Sequence, residues 1–515
     1  MDRIASTNVI VWFRFRLHYR DSYNSSSRSF QLAPPMQQST SHSAYATLPA
    51  PRVSSTIAAP GFVQRKLAAN ARTVVLAALQ RGIKHGRLEL IEPSGAAHYF
   101  GDWPTAAATS DKSSSSLKSG QDDPPTLRIL DDKFWLRVYR SYDVGFSEAY
   151  MASEINSPNL KAVLDLFINN LQEIDRQTGT TLYRALNLVS KIKYLFSHGH
   201  TKAIANVAIY DASNELYQAF LSEEMQYSCP VWSPDGSDGG VRGDLEGHRA
   251  PGDLEAAQAR KIAYVLRKSR IQPDGRLLEI GSGWGGLSIA AARMGCTVDT
   301  ITLSVEQKAM AEARITAAGF AGQIRVHLMD YRDMPADWEH TFDACISIEM
   351  LEAVGPKHMP TYLSQIDWAL KVQNSAAVLT ATTYSESNFI KYQSENFIRK
   401  YHWRRAVIPS AFSLAKEVQN TLKGRFCIDT IEDFATHYPR CLREWGRRLD
   451  ENWTPELIAS LQRRYPELND PHALEMFRRK WHYMYVYMEV AFSRAWLGCI
   501  TWTFARPSFA AQRCA

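Results

Sequence analysis

The 515-residue sequence has no CxxC pair, and its seven cysteines fall between positions 229 and 514 at no regular spacing. An odd count without paired spacing argues against a disulfide framework and against a zinc site, and makes a reducing, cytoplasmic compartment the simpler home. Nor does any run approach the ~20 apolar residues that a bilayer crossing needs. The stretch Asn8-Val9-Ile10-Val11-Trp12-Phe13 is short and is followed by Arg14 and Arg16, which excludes both a span and a good secretory signal. Acidic residues are scarce at the start: positions 1–60 hold only Asp2 and Asp21 among many Ser, Thr, Ala and Pro. That composition is expected of a disordered tail. Its Arg- and Ser-rich, acid-poor character also matches an organellar transit peptide, which leaves mitochondrial import open.

The rest is ordinary globular material, 45% apolar and 22% charged. It is too long for one core, so at least two domains are expected. A formal charge of +6 suits an anionic partner, membrane lipid or nucleic acid, and equally suits an enzyme with neither.

Residues 61–200 read as a smaller α+β domain for lipid handling or scaffolding. Arg87–Ile91 and Ala97–Phe100 flank Pro93-Ser94-Gly95 as a hairpin, and the serine-rich 111–125 stretch is a loop. Thr126–Leu130 and Phe134–Tyr139 are strand candidates, and Leu160, Val163, Leu164 and Phe167 mark a helix. Residues 201–510 form the larger domain. There Asp253 is a candidate N-cap for a helix over 254–268. Strands at 276–280, 297–302, 324–329, 344–348 and 376–380 then alternate with helices. Ser304-Val305-Glu306-Gln307 has the form of a capping box. Alternation of this kind predicts an α/β, doubly wound, mostly parallel sheet.

Chemistry points to one end of that sheet. Leu277-Leu278-Glu279-Ile280-Gly281-Ser282-Gly283-Trp284-Gly285-Gly286 is a strand, a glycine turn and a helix start, where backbone can approach a ligand closely. The Gly281, Gly283, Gly286 spacing alone is shared with dinucleotide folds. Glu279 inside the strand, and no acid closing the second strand for a ribose, favour the sulfonium cofactor S-adenosylmethionine over NAD. Thr302 to Gln307, Asp330-Tyr331-Arg332, and Glu349 with Glu352 stand at the following strand ends, where open sheets bind ligands.

These features combine with further short motifs in a fixed order. They are Gly145-Phe146-Ser147-Glu148-Ala149-Tyr150-Met151, Tyr210-Asp211 with Asn214, Gln226-Tyr227-Ser228-Cys229, Leu254-Glu255-x-Ala257-Gln258-x-x-Lys261, Ser347-Ile348-Glu349-Met350-Leu351-Glu352-Ala353-Val354-Gly355, Phe397-Ile398-x-Lys400-Tyr401, Ile408-Pro409-Ser410 and His437-Tyr438. The set resembles the cyclopropane-fatty-acid synthases, including the mycolic acid cyclopropane synthases. The resemblance implies a methyltransferase fold in which Tyr227, Ser228, Gln258, Glu279, Gly281, Gly283, Gly286, Thr302, Ser304, Gln307, Tyr331, Arg332 and Ile348 hold S-adenosylmethionine. It places Cys229, Glu352 and Tyr438 as catalytic residues around a bicarbonate that removes a proton after an alkene attacks the sulfonium methyl.

Several positions depart from the family pattern. Ile209 stands where bacterial relatives carry His, and the Glu-His pair reads Glu352-Ala353. The His and Ile that contact bicarbonate correspond to Thr380 and Thr382, and a Phe-Pro-Gly-Gly loop reads Trp403-Arg404-Arg405-Ala406. These changes bear on proton removal more than on cofactor binding, so a methyl-branched or methylene product is an alternative to the ring. The implied partner is an unsaturated phospholipid or fatty acyl chain, with peripheral membrane contact through Arg399–Arg405, no nucleic acid, and a homodimer left open. The aromatic segment Trp481, Tyr483, Tyr485, Tyr487, Phe492 and Trp496 reads as core or as the wall of an acyl tunnel. Two rival readings are a small-metabolite methyltransferase and a non-catalytic lipid-binding relic.

Overall fold

A computed structural model describes residues 62–103, 124–178 and 213–510, apart from 235, 390–392, 394 and 405. The tail over 1–60, most of the serine-rich loop, and Ile209 with Tyr210-Asp211 therefore lie outside the described residues, as does Arg405.

The N-terminal part opens with helix α1 (Phe62–Gly82), followed by strands β1 (Arg87–Ile91), β2 (Ala97–Gly101) and β3 (Thr126–Ile129), helix α2 (Lys133–Met151), the short β4 (Ile155–Asn156) and helix α3 (Leu160–Asn169). β1 and β2 form the expected hairpin, and β3 adds to β1 in parallel, giving the order β2-β1-β3-β4. Asn159 caps α3 by accepting from the Ala162 N–H, and its buried face carries Leu160, Val163, Leu164 and Phe167. The strand expected over Phe134–Tyr139 is instead the first half of α2. Phe134, Val138, Tyr142 and Phe146 recur every four residues and line one apolar cavity, so helical spacing prevails over the local preference of aromatic residues for strands. α2 breaks its regular path at Tyr142, where φ is +48°.

After helix α4 (Asn214–Phe220) comes α5 (Asp253–Ser269), which leads into the main sheet. The expected N-cap is displaced by one residue. Gly252, at φ +86°, precedes the helix, and Asp253 is its first residue, with a carboxylate paired to Arg440 at 2.8 Å. The sheet takes β5 (Arg276–Ile280), α6 (Gly286–Arg293), β6 (Thr297–Thr302), α7 (Val305–Ala317), β7 (Ile324–Leu328), β8 (Ala344–Ile348), α8 (Leu351–Val354), α9 (Met359–Ala369) and β9 (Ala376–Tyr384). The chain continues through α10 (Phe397–Tyr401), α11 (Ala411–Leu422), β10 (Cys427–Asp433), α12 (Tyr438–Glu451), α13 (Pro455–Arg464), α14 (Pro471–Ser493) and β11 (Leu497–Ala505). Strand order is β10-β11-β9-β8-β5-β6-β7, parallel from β7 through β9 and antiparallel at β9–β11 and β11–β10. This is the expected doubly wound α/β sheet. Five parallel strands put all their C-terminal ends on one edge, and that edge holds the site.

The two parts share a core. Tyr150 of α2 hydrogen-bonds His482 of α14 at 2.8 Å, and Arg479 donates to the Tyr150 and Ile155 carbonyls from a fully buried position. Among the described residues, no helix is long and apolar enough to cross a membrane.

Candidate active site

The first strand end is shaped by glycine. After β5 the backbone N–H groups of Gly281 and Ser282 both donate to the Ile301 carbonyl, with Gly281 at φ +100° and Gly283 at φ +49°. Those left-handed conformations are cheap only for glycine, and a side chain at Gly283 would meet nothing within 4 Å. The turn therefore faces open space. Ser282 adds a buried hydroxyl with no partner, as expected where a polar ligand is to sit.

The next two ends complete a crevice. Thr302 closes β6, Ser304 caps α7 by accepting from the Gln307 N–H, and Gln307 Oε1 accepts from the Thr302 hydroxyl at 3.0 Å. The serine half of the capping box is thus present, while the Gln307 side chain turns to Thr302. After β7, Asp330 holds the Arg332 guanidinium in a two-pronged pair at 2.8 and 2.6 Å, and Tyr331 stands edge-on to Tyr362. Tyr227, Ser228, Glu279, Gly281, Gly283, Thr302, Ser304, Gln307, Tyr331, Arg332 and Ile348 all line this one crevice, open to solvent.

Two of the expected cofactor residues stand behind its wall. Gln258 is fully buried on α5, and its amide donates to the Ser228 and Gln226 carbonyls at 2.9 and 3.4 Å. Lys261, one turn on, donates to Gln226 Oε1 and Ser228 Oγ at 2.5 and 2.9 Å. The α5 motif therefore pins the Gln226–Ser228 segment that forms the wall, rather than touching the crevice itself. Gly286 is the second. A Cβ there would lie 2.3 Å from the Glu224 carbonyl oxygen, so that glycine lets the same segment lie against the start of α6. Glu279 is buried against the Ser288 hydroxyl, and burial pushes its carboxyl up to about 7.

A second cavity opens beside the crevice and is walled mainly by apolar side chains of α10, α12 and α14, including Ile398, Leu442, Met484, Met488 and Ala491. Of the aromatic segment, Tyr487 lines this cavity, while Trp481, Tyr483 and Tyr485 are core. Lys400 and Tyr401 are held by Glu148 of α2 at 2.5 and 2.7 Å. The Lys400 charge is therefore paired within the protein at a partly exposed position, whereas Arg399 and Trp403 line the cavity. The two cavities meet at Tyr227, Glu349 and Ala353, which border both. Tyr227 lies in an aromatic group with Trp445 and Trp403, ring centroids 5.2 and 6.2 Å away.

The expected catalytic trio is only partly brought together. Glu352 and Tyr438 both line the second cavity. The Cys229 thiol does not. It is buried in a separate small void with Lys261 and Cys499, directed at the Pro230 and Phe434 carbonyls, and burial pushes it up to about 11. A thiol so desolvated stays protonated. What Cys229 contributes is its backbone N–H, which donates to Glu349 Oε1 at 2.8 Å.

Glu349 is the residue that the motif reading left without a role. It follows β8 at φ +49°, a left-handed conformation rare for a non-glycine residue and costing on the order of 1 kcal/mol. Its N–H is held by the Thr380 carbonyl at 2.9 Å. Its carboxylate takes the Cys229 N–H on one oxygen and the Tyr438 hydroxyl on the other, the latter at 2.5 Å. Burial raises its pKa, opposed by those two hydrogen bonds and by Lys261. Glu352 accepts the Thr382 N–H at 2.6 Å on one oxygen, and the other is buried without a partner. Burial, then the Glu349 charge, pushes Glu352 up to about 8. Glu352 therefore holds its proton at neutral pH.

A bicarbonate does not fit this arrangement. Tyr438, expected beside that anion, gives its one hydroxyl hydrogen to Glu349, and the Cys229 N–H gives its own to the same carboxyl. S-adenosylmethionine does fit the crevice: its walls offer the glycine turn, an unpartnered Ser282 hydroxyl, and buried carboxyls near the junction for a positively charged sulfur.

The sequence profile of mycolic acid cyclopropane synthetase matches residues 198–486. The chain is 31% identical over 404 residues to the tuberculostearic acid methyltransferase UfaA1 of Mycobacterium tuberculosis, covering 76% of this chain and 86% of that protein. It is 26% identical over 348 residues to the cyclopropane-fatty-acyl-phospholipid synthase of Escherichia coli, covering 67% and 81%. Among solved structures it is similar to the cyclopropane synthase MmaA2 of Mycobacterium tuberculosis, at 20% identity over 60% of this chain and 99% of that one, with a TM-score of 0.48.

Proposed function

The chain belongs to the mycolic acid cyclopropane synthetase family and is an S-adenosylmethionine-dependent methyltransferase, and from that premise we propose that it adds a one-carbon unit to the double bond of an unsaturated acyl chain carried on a phospholipid, leaving a cyclopropane or a methyl branch. One observation carries this reading. The cofactor crevice opens into an apolar cavity, and the two share Tyr227, Glu349 and Ala353.

When bound, S-adenosylmethionine supplies a methyl group on a positively charged sulfur. Gly281 and Gly283 leave room for its approach, and Thr302, Gln307, Tyr331 and Arg332 form the far wall for its polar end. On the acyl side, Met484, Met488 and Ala491 of α14 present hydrocarbon. Burying a methylene there is worth about 0.8 kcal/mol. A double bond brought to the junction faces the Tyr227 ring, and an aromatic face stabilises developing positive charge. Trp445 and Trp403 stand beside the Tyr227 ring at the junction, and fixed negative charge acts more strongly in such an apolar setting than in water. Arg399 in the cavity wall and the exposed Arg404 beside it give an anionic headgroup cations to approach at a membrane surface.

The test is incubation of purified protein with methyl-labelled cofactor and monounsaturated phospholipid vesicles. Label recovered in the acyl chain supports the proposal, and gas chromatography distinguishes ring from branch. Label found only in small metabolites, or cofactor binding with no transfer, refutes it in favour of a small-molecule enzyme or a lipid-binding relic respectively.

A further inference from the structure

The transfer proposed above leaves a positive charge on the chain and requires a base, and this inference rests on that reading. We infer that the Glu349 carboxylate stands in place of a bound bicarbonate and is itself the base that takes the proton from the transferred carbon. Three independent features point to it. Its two oxygens take the Cys229 N–H at 2.8 Å and the Tyr438 hydroxyl at 2.5 Å, groups of two residues expected around the anion. It borders both the cofactor crevice and the acyl cavity, so it touches the point where the two reactants meet. Its backbone is held at φ +49°, a strained conformation for a glutamate that persists where the surroundings impose it.

The step balances without a further reagent. The alkene π pair forms a bond to the methyl carbon as the carbon–sulfur bond breaks, and the carbon–sulfur pair leaves on sulfur, giving a neutral thioether. The positive charge passes to the adjacent chain carbon. Glu349 then accepts one proton from the transferred carbon, and the freed C–H pair closes the ring, or forms a methylene double bond if a hydride has first shifted along the chain. In both of these cases one proton passes from the transferred carbon to Glu349. Tyr438 and the Cys229 N–H act as positioning groups that hold the carboxylate between the cavities. The neighbouring Glu352 stays protonated, which keeps the second negative charge out of the site.

Glutamine at 349 keeps the size and can no longer accept the proton, while glycine at 349 suits φ +49° and leaves an anion-sized gap. The experiment measures turnover on monounsaturated phospholipid in buffer stripped of carbon dioxide and bicarbonate. The unsubstituted enzyme should keep its rate within about twofold. Glu349→Gln should lose about 100-fold or more in kcat, in the range general-base removal produces. Glu349→Gly should be similarly slow and recover in proportion to added formate or bicarbonate. A tenfold fall in the unsubstituted rate on stripping bicarbonate overturns the inference, and so does a folded Glu349→Gln or Glu349→Gly enzyme that runs at full speed unaided. Absence of any turnover by the unsubstituted enzyme sinks the functional reading itself, and this inference with it.

Discussion

Replacing Glu352 by glutamine should flatten the dependence of stability on pH. Glu352 is buried beside Glu349, and its pKa rises from 4.5 to about 8. A carboxyl with a raised folded pKa contributes stability that is fully present below the unfolded value and is lost as pH climbs through the folded one. The window is therefore pH 4.5 to about 8. One proton released across it gives a loss of about 2.5 kcal/mol between pH 6 and pH 9. Glutamine keeps an oxygen for the Thr382 N–H, now at 2.6 Å, and has no proton to lose. Unfolding free energies from denaturant titrations at pH 6 and 9 would then converge for Glu352→Gln, while those of the unsubstituted protein separate by roughly that amount more. Parallel pH curves for the two proteins would refute the claim that Glu352 holds a proton in the fold.

Three other substitutions probe different parts of the site. Gly286→Ala should destabilise the protein by about 1–3 kcal/mol, measured by denaturant midpoint, because its Cβ would press on the Glu224 carbonyl. Ala491→Phe should reduce kcat/KM for phospholipid about tenfold or more by filling the acyl cavity, while calorimetry finds cofactor binding intact, since the cost falls on substrate packing alone. Tyr227→Leu should lower kcat by about 30-fold, the equivalent of ~2 kcal/mol of cation stabilisation by a desolvated ring, with a much smaller change in KM.

Much of the framework was legible because it rests on local chemistry. The glycine turn, the Ser304 cap, the alternation of strands and helices, and the convergence of polar strand ends all follow from residues close in sequence. The misses come from where local signals are silent. Phe134–Tyr139 has strand-like composition, and only packing of the 134, 138, 142 and 146 face decides for helix. Asp253 looks like a cap until Arg440, almost two hundred residues away, claims its carboxylate. Gln258 and Gly286 belong to recurrent motifs, but a motif does not say which side of a wall a residue occupies. Glu349 and Glu352 are three residues apart at one strand end, and residue type alone does not choose between them. The choice is made by a left-handed backbone at 349 and by two donors from distant segments, Cys229 and Tyr438. The signal that could have found it is the strand-end position itself: the first residue beyond β8 sits over the crevice, and an acid there was available to carry weight.

The most direct measurement is the mass of the lipid product formed from monounsaturated phospholipid and cofactor bearing a CD₃ methyl. An acyl chain heavier by one carbon that retains two deuterons, located by fragmentation at the former double bond, is the predicted result. Unlabelled lipid would contradict transfer at the junction of the two cavities, and a product keeping all three deuterons would contradict proton removal from the transferred carbon.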